Sequence, residues 1–254
     1  LAELGESLGL TVVRGSQKDI LSRFALAAEH TEANILIRIT GDCPFVDPGL
    51  LEEMISEFCG LDVDYFANCL SPTYPDGLDV EIFNRRVLLL AQAECIDASQ
   101  REHVTPWIRD SGCFRLGQKQ HHADLSSMRW TVDEPEDLQV IRAVVAHFEG
   151  RSDFAWQEVL ELAQQQPHLF APNARFARNE GASMGEGQKL WRRAKRVIPG
   201  GNMLLSKRAE MFLPDHWPAY FSRSKGCHVW DLDGHELIDM SIMGIGTNIL
   251  GYCH

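Results

Sequence analysis

The chain has 254 residues, a formal net charge of −12 and a composition that is 44% hydrophobic and 24% charged. That size allows one large or two modest domains, and the acidic balance argues against a nucleic-acid partner, since phosphate backbones are bound by clustered Lys and Arg. Seven scattered cysteines without C-x-x-C spacing argue against a disulfide framework or zinc site and fit a reducing cytoplasm, and no apolar run approaches the roughly 20 residues of a membrane span.

In chain order, residues 8–13 read as a short strand and 18–29 as a helix with Ile20, Leu21, Phe24 and Ala28 on one face. Residues 35–48 are the stretch around which the rest is organised. Ile35, Leu36, Ile37 and Ile39 predict a buried, central parallel strand. Gly41 turns the backbone, Pro44 stops the ladder, and Asp42 is left at the carboxyl end of the strand, where open α/β sheets bind ligands. Asp47 caps a helix with Pro48 at its first position, a buried stripe of Leu50, Leu51, Met54, Ile55 and Phe58, and an end at Gly60.

Residues 63–68 and 78–83 read as strands around a turn-rich loop at 71–77, and Asn84 caps a helix over 85–96. Residues 114–120 and 128–132 are further strands, the second ending at Asp133. Pro135 opens a helix with Leu138, Ile141, Val145 and Phe148 on one face, and a helix over 155–166 is stopped by Pro167. The alternation predicts an α/β fold with a Rossmann-like layered sheet over 1–166. Residues 167–183 lack a period and read as a linker. In 184–254, Ser183 and Glu186 predict a capping box ahead of Leu190, Ala194 and Val197, with helix end at Pro199-Gly200-Gly201. Strands over 220–224 and 228–240 follow, the latter folded into a hairpin at Asp233-Gly234.

Asp42 and Asp133 each follow an apolar strand, so both reach the same crevice in a parallel sheet. Mg²⁺ takes one or two carboxylates plus phosphate oxygens. Each aspartate has a structural alternative, Asp42 as a turn cap and Asp133 as part of the acidic helix start. Arg38 and Arg101 are candidates to hold a carboxylate or phosphate, and Arg38, inside an apolar strand, requires an acidic partner or a ligand. Asp76, Asp79 and Glu81 are candidates for sugar hydroxyls or else a solvated turn and strand face, and His103 for acid-base work or a plain polar contact. Asp62-Val63-Asp64, His121-His122-Ala123-Asp124 and Asp231-Leu232-Asp233-Gly234 are weaker metal-type patterns, the last better explained as a hairpin turn.

Four motifs in order carry a resemblance: Arg38-Ile39-Thr40-Gly41-Asp42-Cys43-Pro44-Phe45-Val46-Asp47-Pro48, Tyr74-Pro75-Asp76-Gly77-Leu78-Asp79-Val80-Glu81, Arg101-Glu102-His103-Val104-Thr105-Pro106, and Arg129-Trp130-Thr131-Val132-Asp133-Glu134-Pro135-Glu136-Asp137-Leu138. Together they resemble the cytidylyltransferases that activate acidic sugars, in the branch of spore coat polysaccharide biosynthesis. The resemblance implies a nucleotide-diphospho-sugar transferase fold, CTP or another nucleotide and an acidic sugar as substrates, and Mg²⁺ held by Asp42 and Asp133. Residues 184–254, with Gly226-Cys227-His228-Val229-Trp230-Asp231-Leu232-Asp233-Gly234 and Gly244-Ile245-Gly246, resemble the start of a class III aminotransferase such as glutamate-1-semialdehyde aminomutase. That implies pyridoxal phosphate and a homodimer in a longer protein, although no lysine here is assigned as its Schiff-base partner. With Leu1 in place of Met and no domain-end signal at His254, the expectation is a junction fragment of a cytoplasmic bifunctional enzyme, a poor catalyst because the resemblance implies that its nucleotidyltransferase domain lacks the basic, glycine-containing nucleotide loop at its amino end. A nucleotide-sugar-dependent glycosyltransferase and a non-catalytic nucleotide- or sugar-binding module are the competing expectations.

Overall fold

The capping signals around Asp47 are obeyed closely. Its carboxylate accepts from the Leu50 N–H at 2.7 Å, and helix α3 (Pro48–Gly60) starts with proline in its first turn. The other oxygen accepts from the Trp156 N–H at 3.0 Å, so one buried aspartate caps α3 and anchors the start of helix α8 (Trp156–Gln165). The computed structural model describes residues 1–178, 185–202, 208–213, 216–240 and 251–252, and the chain divides into two units, Leu1–Arg178 and Asn179–His254.

In the first unit, strands β1 (Ile35–Arg38), β2 (Tyr65–Ala67), β3 (Glu81–Asn84) and β4 (Leu116–Gln118) form one sheet in the order β1-β3-β2-β4. β3 runs antiparallel to β1 and β2, while β2 and β4 are parallel. Alternation along the strands sends Phe66 and Ile82 to one face and Tyr65, Ala67 and Phe83 to the other. α3, α7 (Pro135–His147) and α8 cover the first face with Leu50, Met54, Phe58, Val140, Val144 and Val159. α2 (Ile20–Thr31), α4 (Arg85–Glu94) and α6 (Pro106–Asp110) cover the second with Leu21, Ala25, Val87, Leu88 and Ile108. The result is a three-layer α/β fold, in which each fully buried large side chain contributes about 1.5–3 kcal/mol of transfer free energy.

Several expectations are corrected. The strand at 35–38 is not a buried central parallel strand. Among the described residues its ladder runs to β3 alone, antiparallel, and Ile35 and Ile39 stay exposed. An apolar run specifies burial potential but not the partner or its direction, which here follow from the cross-strand register that sets Arg38 against Glu81. Residues 8–13 form no strand, and a short helix, α1 (Ala2–Ser7), precedes them. Residues 128–132 bond to two turns instead of a ladder: Trp130 N–H donates to the Asp76 carbonyl at 2.7 Å and Val132 N–H to the Asp42 carbonyl at 2.9 Å. Two short helices, α5 (Ala98–His103) and α6, fill the stretch between α4 and β4.

The expected linker is also revised. Pro167–Asn173 forms 3-10 turns against α7 and α8, Asn173 is buried, and the first unit runs on to Arg178.

In the second unit, α9 (Glu186–Val197) buries Trp191 and Ala194 against Ala209, with Ala219 and Tyr220 alongside. Strands β5 (Phe221–Lys225), β6 (His228–Asp231) and β7 (Glu236–Ile238) form an antiparallel sheet whose β6–β7 turn holds Asp233 and Gly234, as expected. Ser183 of the expected capping box and the Gly244-Ile245-Gly246 motif lie outside the described residues.

Candidate active site

Beyond the end of β1 the backbone turns through Thr40 to Cys43, and the Asp42 carbonyl is held by the Val132 N–H and the Thr131 hydroxyl, at 2.9 and 3.2 Å. That cross-link brings the Asp42 turn beside Asp133. The loop carrying Asp76 and Asp79 reaches the same place through the bridge between Asp76 and Arg129. Gly77 makes this approach possible, since with φ at +104° a Cβ there would stand 2.6 Å from the Thr131 nitrogen. Four expected residues, Asp42, Asp76, Asp79 and Asp133, thus meet from three separate segments.

Their charges act on one another. Burial pushes Asp76 up to about 6, and Asp79 and Asp133 add to the rise against the opposing pull of Arg178 and Arg129. Asp79 and Asp133 are also raised, first by burial and then by neighbouring carboxylates that include Asp42 in both cases. Burial pushes the Cys43 thiol to about 12, with Asp42, Asp79 and Asp76 contributing, so it stays protonated and is no nucleophile at neutral pH.

Two guanidinium groups balance part of this charge, and neither was anticipated. Arg129, nearly buried, donates to Asp133 at 2.8 Å, to both oxygens of Asp137 at 2.9 Å and to Asp76 at 3.4 Å. Asp137, fully buried in the first turn of α7, also accepts from the Asp133 and Glu134 N–H groups at 3.0 and 2.8 Å, so it fixes the backbone that carries Asp133. Arg178 pairs with Asp79 and donates to the Tyr74 carbonyl at 3.2 Å. The position of Arg129 in an apolar, strand-like run signalled that it needed a partner. Arg178 carried no signal, because it lies in a stretch that reads as linker.

Arg38 has the acidic partner expected of it. It pairs with Glu81 across β1 and β3, and Glu81 also accepts from the Tyr65 hydroxyl at 2.5 Å. Buried and doubly engaged, Glu81 is a sheet residue rather than part of a solvated face. Arg101 is corrected: its guanidinium is held by Asp19 at 2.8 Å, the Cys95 carbonyl at 2.8 Å and Gln92 at 2.8 Å, which ties α5 to the start of α2 rather than binding an anion. His103 ends the same helix, just before Val104 with φ at +71°. His121 bonds with the Ala123 backbone and Asp124 with Ser126, so this histidine pair is a turn. Among the described residues, Asp231, Asp233 and His235 bring ligand atoms close enough together for a metal, but Asp231 already accepts from the Asp233 and His235 N–H groups within the hairpin turn.

The protein-family model for cytidylyltransferases matches residues 2–169. The chain belongs to the cytidylyltransferase family. It is 31% identical over 165 residues to the spore coat polysaccharide biosynthesis protein SpsF of Bacillus subtilis, a match that covers 63% of this chain and 67% of that protein. A solved cytidylyltransferase from Leptospira borgpetersenii superposes with a TM-score of 0.63 at 27% identity, covering 66% of this chain and 71% of the other. A further 69 residues are 39% identical to glutamate-1-semialdehyde 2,1-aminomutase of Methanopyrus kandleri, which is 27% of this chain and 15% of that enzyme. No helix among the described residues is long and apolar enough to cross a membrane.

Proposed function

We propose that this chain carries the catalytic domain of a Mg²⁺-dependent enzyme that transfers CMP from CTP to an acidic sugar destined for a surface polysaccharide. The observation that carries the proposal is the convergence of Asp42, Asp76, Asp79 and Asp133 beside Arg129 and Arg178 in a cytidylyltransferase. The donors are all oxygens, and burial and mutual repulsion hold Asp76, Asp79 and Asp133 above the ordinary carboxylate range, a strain that a hard divalent cation relieves. Asp42 and Asp133 would hold the cation, which offsets phosphate charge when bound. Asp76 and Asp79 would accept from sugar hydroxyls, and Arg129 keeps Asp133 in place. A glycosyltransferase would release a nucleoside diphosphate, so pyrophosphate as the product separates the two.

The second unit supports a narrower proposal. It is the opening part of a pyridoxal-phosphate aminotransferase joined to the first enzyme in a longer, dimeric polypeptide. The described residues do not supply a seat for that cofactor, since Lys189, Lys195 and Lys225 are all exposed and the first two pair with Glu186 and Glu210.

The test is calorimetric titration of CTP with and without Mg²⁺ into the chain and into Asp42→Ala. The expected result is Mg²⁺-dependent binding that the substitution abolishes. Binding of equal strength without Mg²⁺, or in Asp42→Ala, would overturn the assignment of the metal site.

A further inference from the structure

Asn173, Phe176, Ala177 and Arg178 lie beyond residues 2–169 of the family match, yet the first three contact Arg129, with Asn173 also bonding Asp137, and Arg178 reaches the carboxylate cluster itself. The buried Asn173 amide donates to the Arg129 carbonyl at 3.0 Å and to Asp137 at 2.9 Å. The Ala177 carbonyl accepts from Arg129 at 3.3 Å, and the Phe176 ring centroid lies 5.6 Å from the Arg129 guanidinium carbon. This clasp delivers Arg178 to the loop at 74–79. There Nη2 pairs with Asp79, Nη1 donates to the Tyr74 carbonyl at 3.2 Å, and Nε stands 3.9 Å from Asp76, buried and without a hydrogen-bond partner.

We propose that the clasp at 173–178 is a working part of the substrate site, and that Arg178 is its positioning residue, a single guanidinium setting the aim of the Asp76 and Asp79 carboxylates. The inference rests on the assignment of those two aspartates to sugar hydroxyls. The ligand chemistry is a vicinal diol, either the ribose of CTP or the acceptor sugar. A planar guanidinium fork suits this task because it fixes direction as well as charge. Burial pushes both aspartates up, and Arg178 is the strongest group drawing them back. The orphaned Nε marks a contact left open on the Asp76 side, where a small movement of the loop closes it.

The test uses the full chain with Arg178→Gln, Arg178→Lys, Asp79→Asn and the double variant Arg178→Gln/Asp79→Asn. Mg-CTP and Mg-2′,3′-dideoxy-CTP are titrated calorimetrically, and pyrophosphate release is followed with sugar acids as acceptors. If the diol is the ribose, Arg178→Gln weakens CTP about tenfold and spares the dideoxy analogue. If it is the acceptor, CTP affinity holds while the acceptor KM rises about tenfold at little cost in kcat. In either case Asp79→Asn reproduces the loss, the double variant is no worse than either single, and Arg178→Lys recovers part of it. Arg151→Gln, exposed, outside the clasp and paired with Asp153, serves as the unaffected control.

Unchanged affinities and KM in Arg178→Gln overturn the inference, as do additive losses in the double variant or equal losses for CTP and its dideoxy analogue. Should the unaltered chain bind no Mg-CTP, the proposed function fails and takes this inference with it. When the unaltered chain binds and Arg178→Gln matches it, the inference alone fails.

Discussion

Asp137→Ala is the most demanding perturbation of this site, because no ligand is involved. The carboxylate is fully buried and accepts from five donors: Arg129 Nε and Nη2, the Asp133 and Glu134 N–H groups, and the Asn173 amide. Removing one partner of a buried ion pair costs about 3–5 kcal/mol, since the remaining charge and the orphaned N–H groups stay in a low-dielectric setting. Arg129 would keep Asp133 and Asp76, but Asp76 lies 3.4 Å away and Asp133 is half exposed, so neither replaces the lost pair. At about 2–4 °C per kcal/mol for a domain of this size, the melting temperature should fall by roughly 6–20 °C. Urea unfolding followed by the fluorescence of Trp130 and Trp156, both buried in the first unit, measures the loss directly. Asp137→Asn, which removes the charge and keeps the shape, should lie between the two. A cost below about 1 kcal/mol for Asp137→Ala would refute the role given to this carboxylate as the anchor of Arg129 and of the Asp133 backbone.

The pH dependence of stability offers a second check. Asp76 is raised in the folded chain to about 6, so folding takes up a proton between that value and the ordinary carboxylate value of about 4, and stability from this group falls as pH rises through the window. Asp137 has the opposite sign: burial raises it, but bonds from Arg129, Asn173 and two N–H groups outweigh that and lower it, so its stabilisation is lost as pH falls. Asp76→Asn should therefore flatten the decline in urea midpoint between about pH 4 and about pH 6, and an unchanged slope would count against the burial of this carboxyl. Gly77→Ala combines a positive φ with a Cβ 2.6 Å from Trp130 and Thr131 backbone atoms, so a loss of about 2–6 kcal/mol is expected in thermal unfolding, with the Asp76 loop moved away from Arg129.

What the sequence by itself determined is what short-range chemistry decides. The Asp47 cap with Pro48, the acidic start of α7 at Pro135, the helical stripes of α2 and α3, the end of α8 before Pro167 and the turn at Asp233-Gly234 are all legible from a few neighbouring residues. So were the family motifs and, within them, the four aspartates that converge.

The tertiary structure decided the rest, because it depends on partners far away in the chain. The direction of β1 against β3 follows from which strand it meets, and nothing within Ile35–Arg38 encodes that. Arg101, next to His103 in a family motif, looked free to bind an anion, and only the approach of Asp19 from 82 residues away shows that it is a structural tie. Arg178 shows the converse. In a stretch without period or motif it read as linker, and it becomes part of the site only because packing of the 3-10 turns against α7 and α8 carries it to Asp79, 99 residues earlier. Charges announce what they need, but the fold alone selects which partner meets the need.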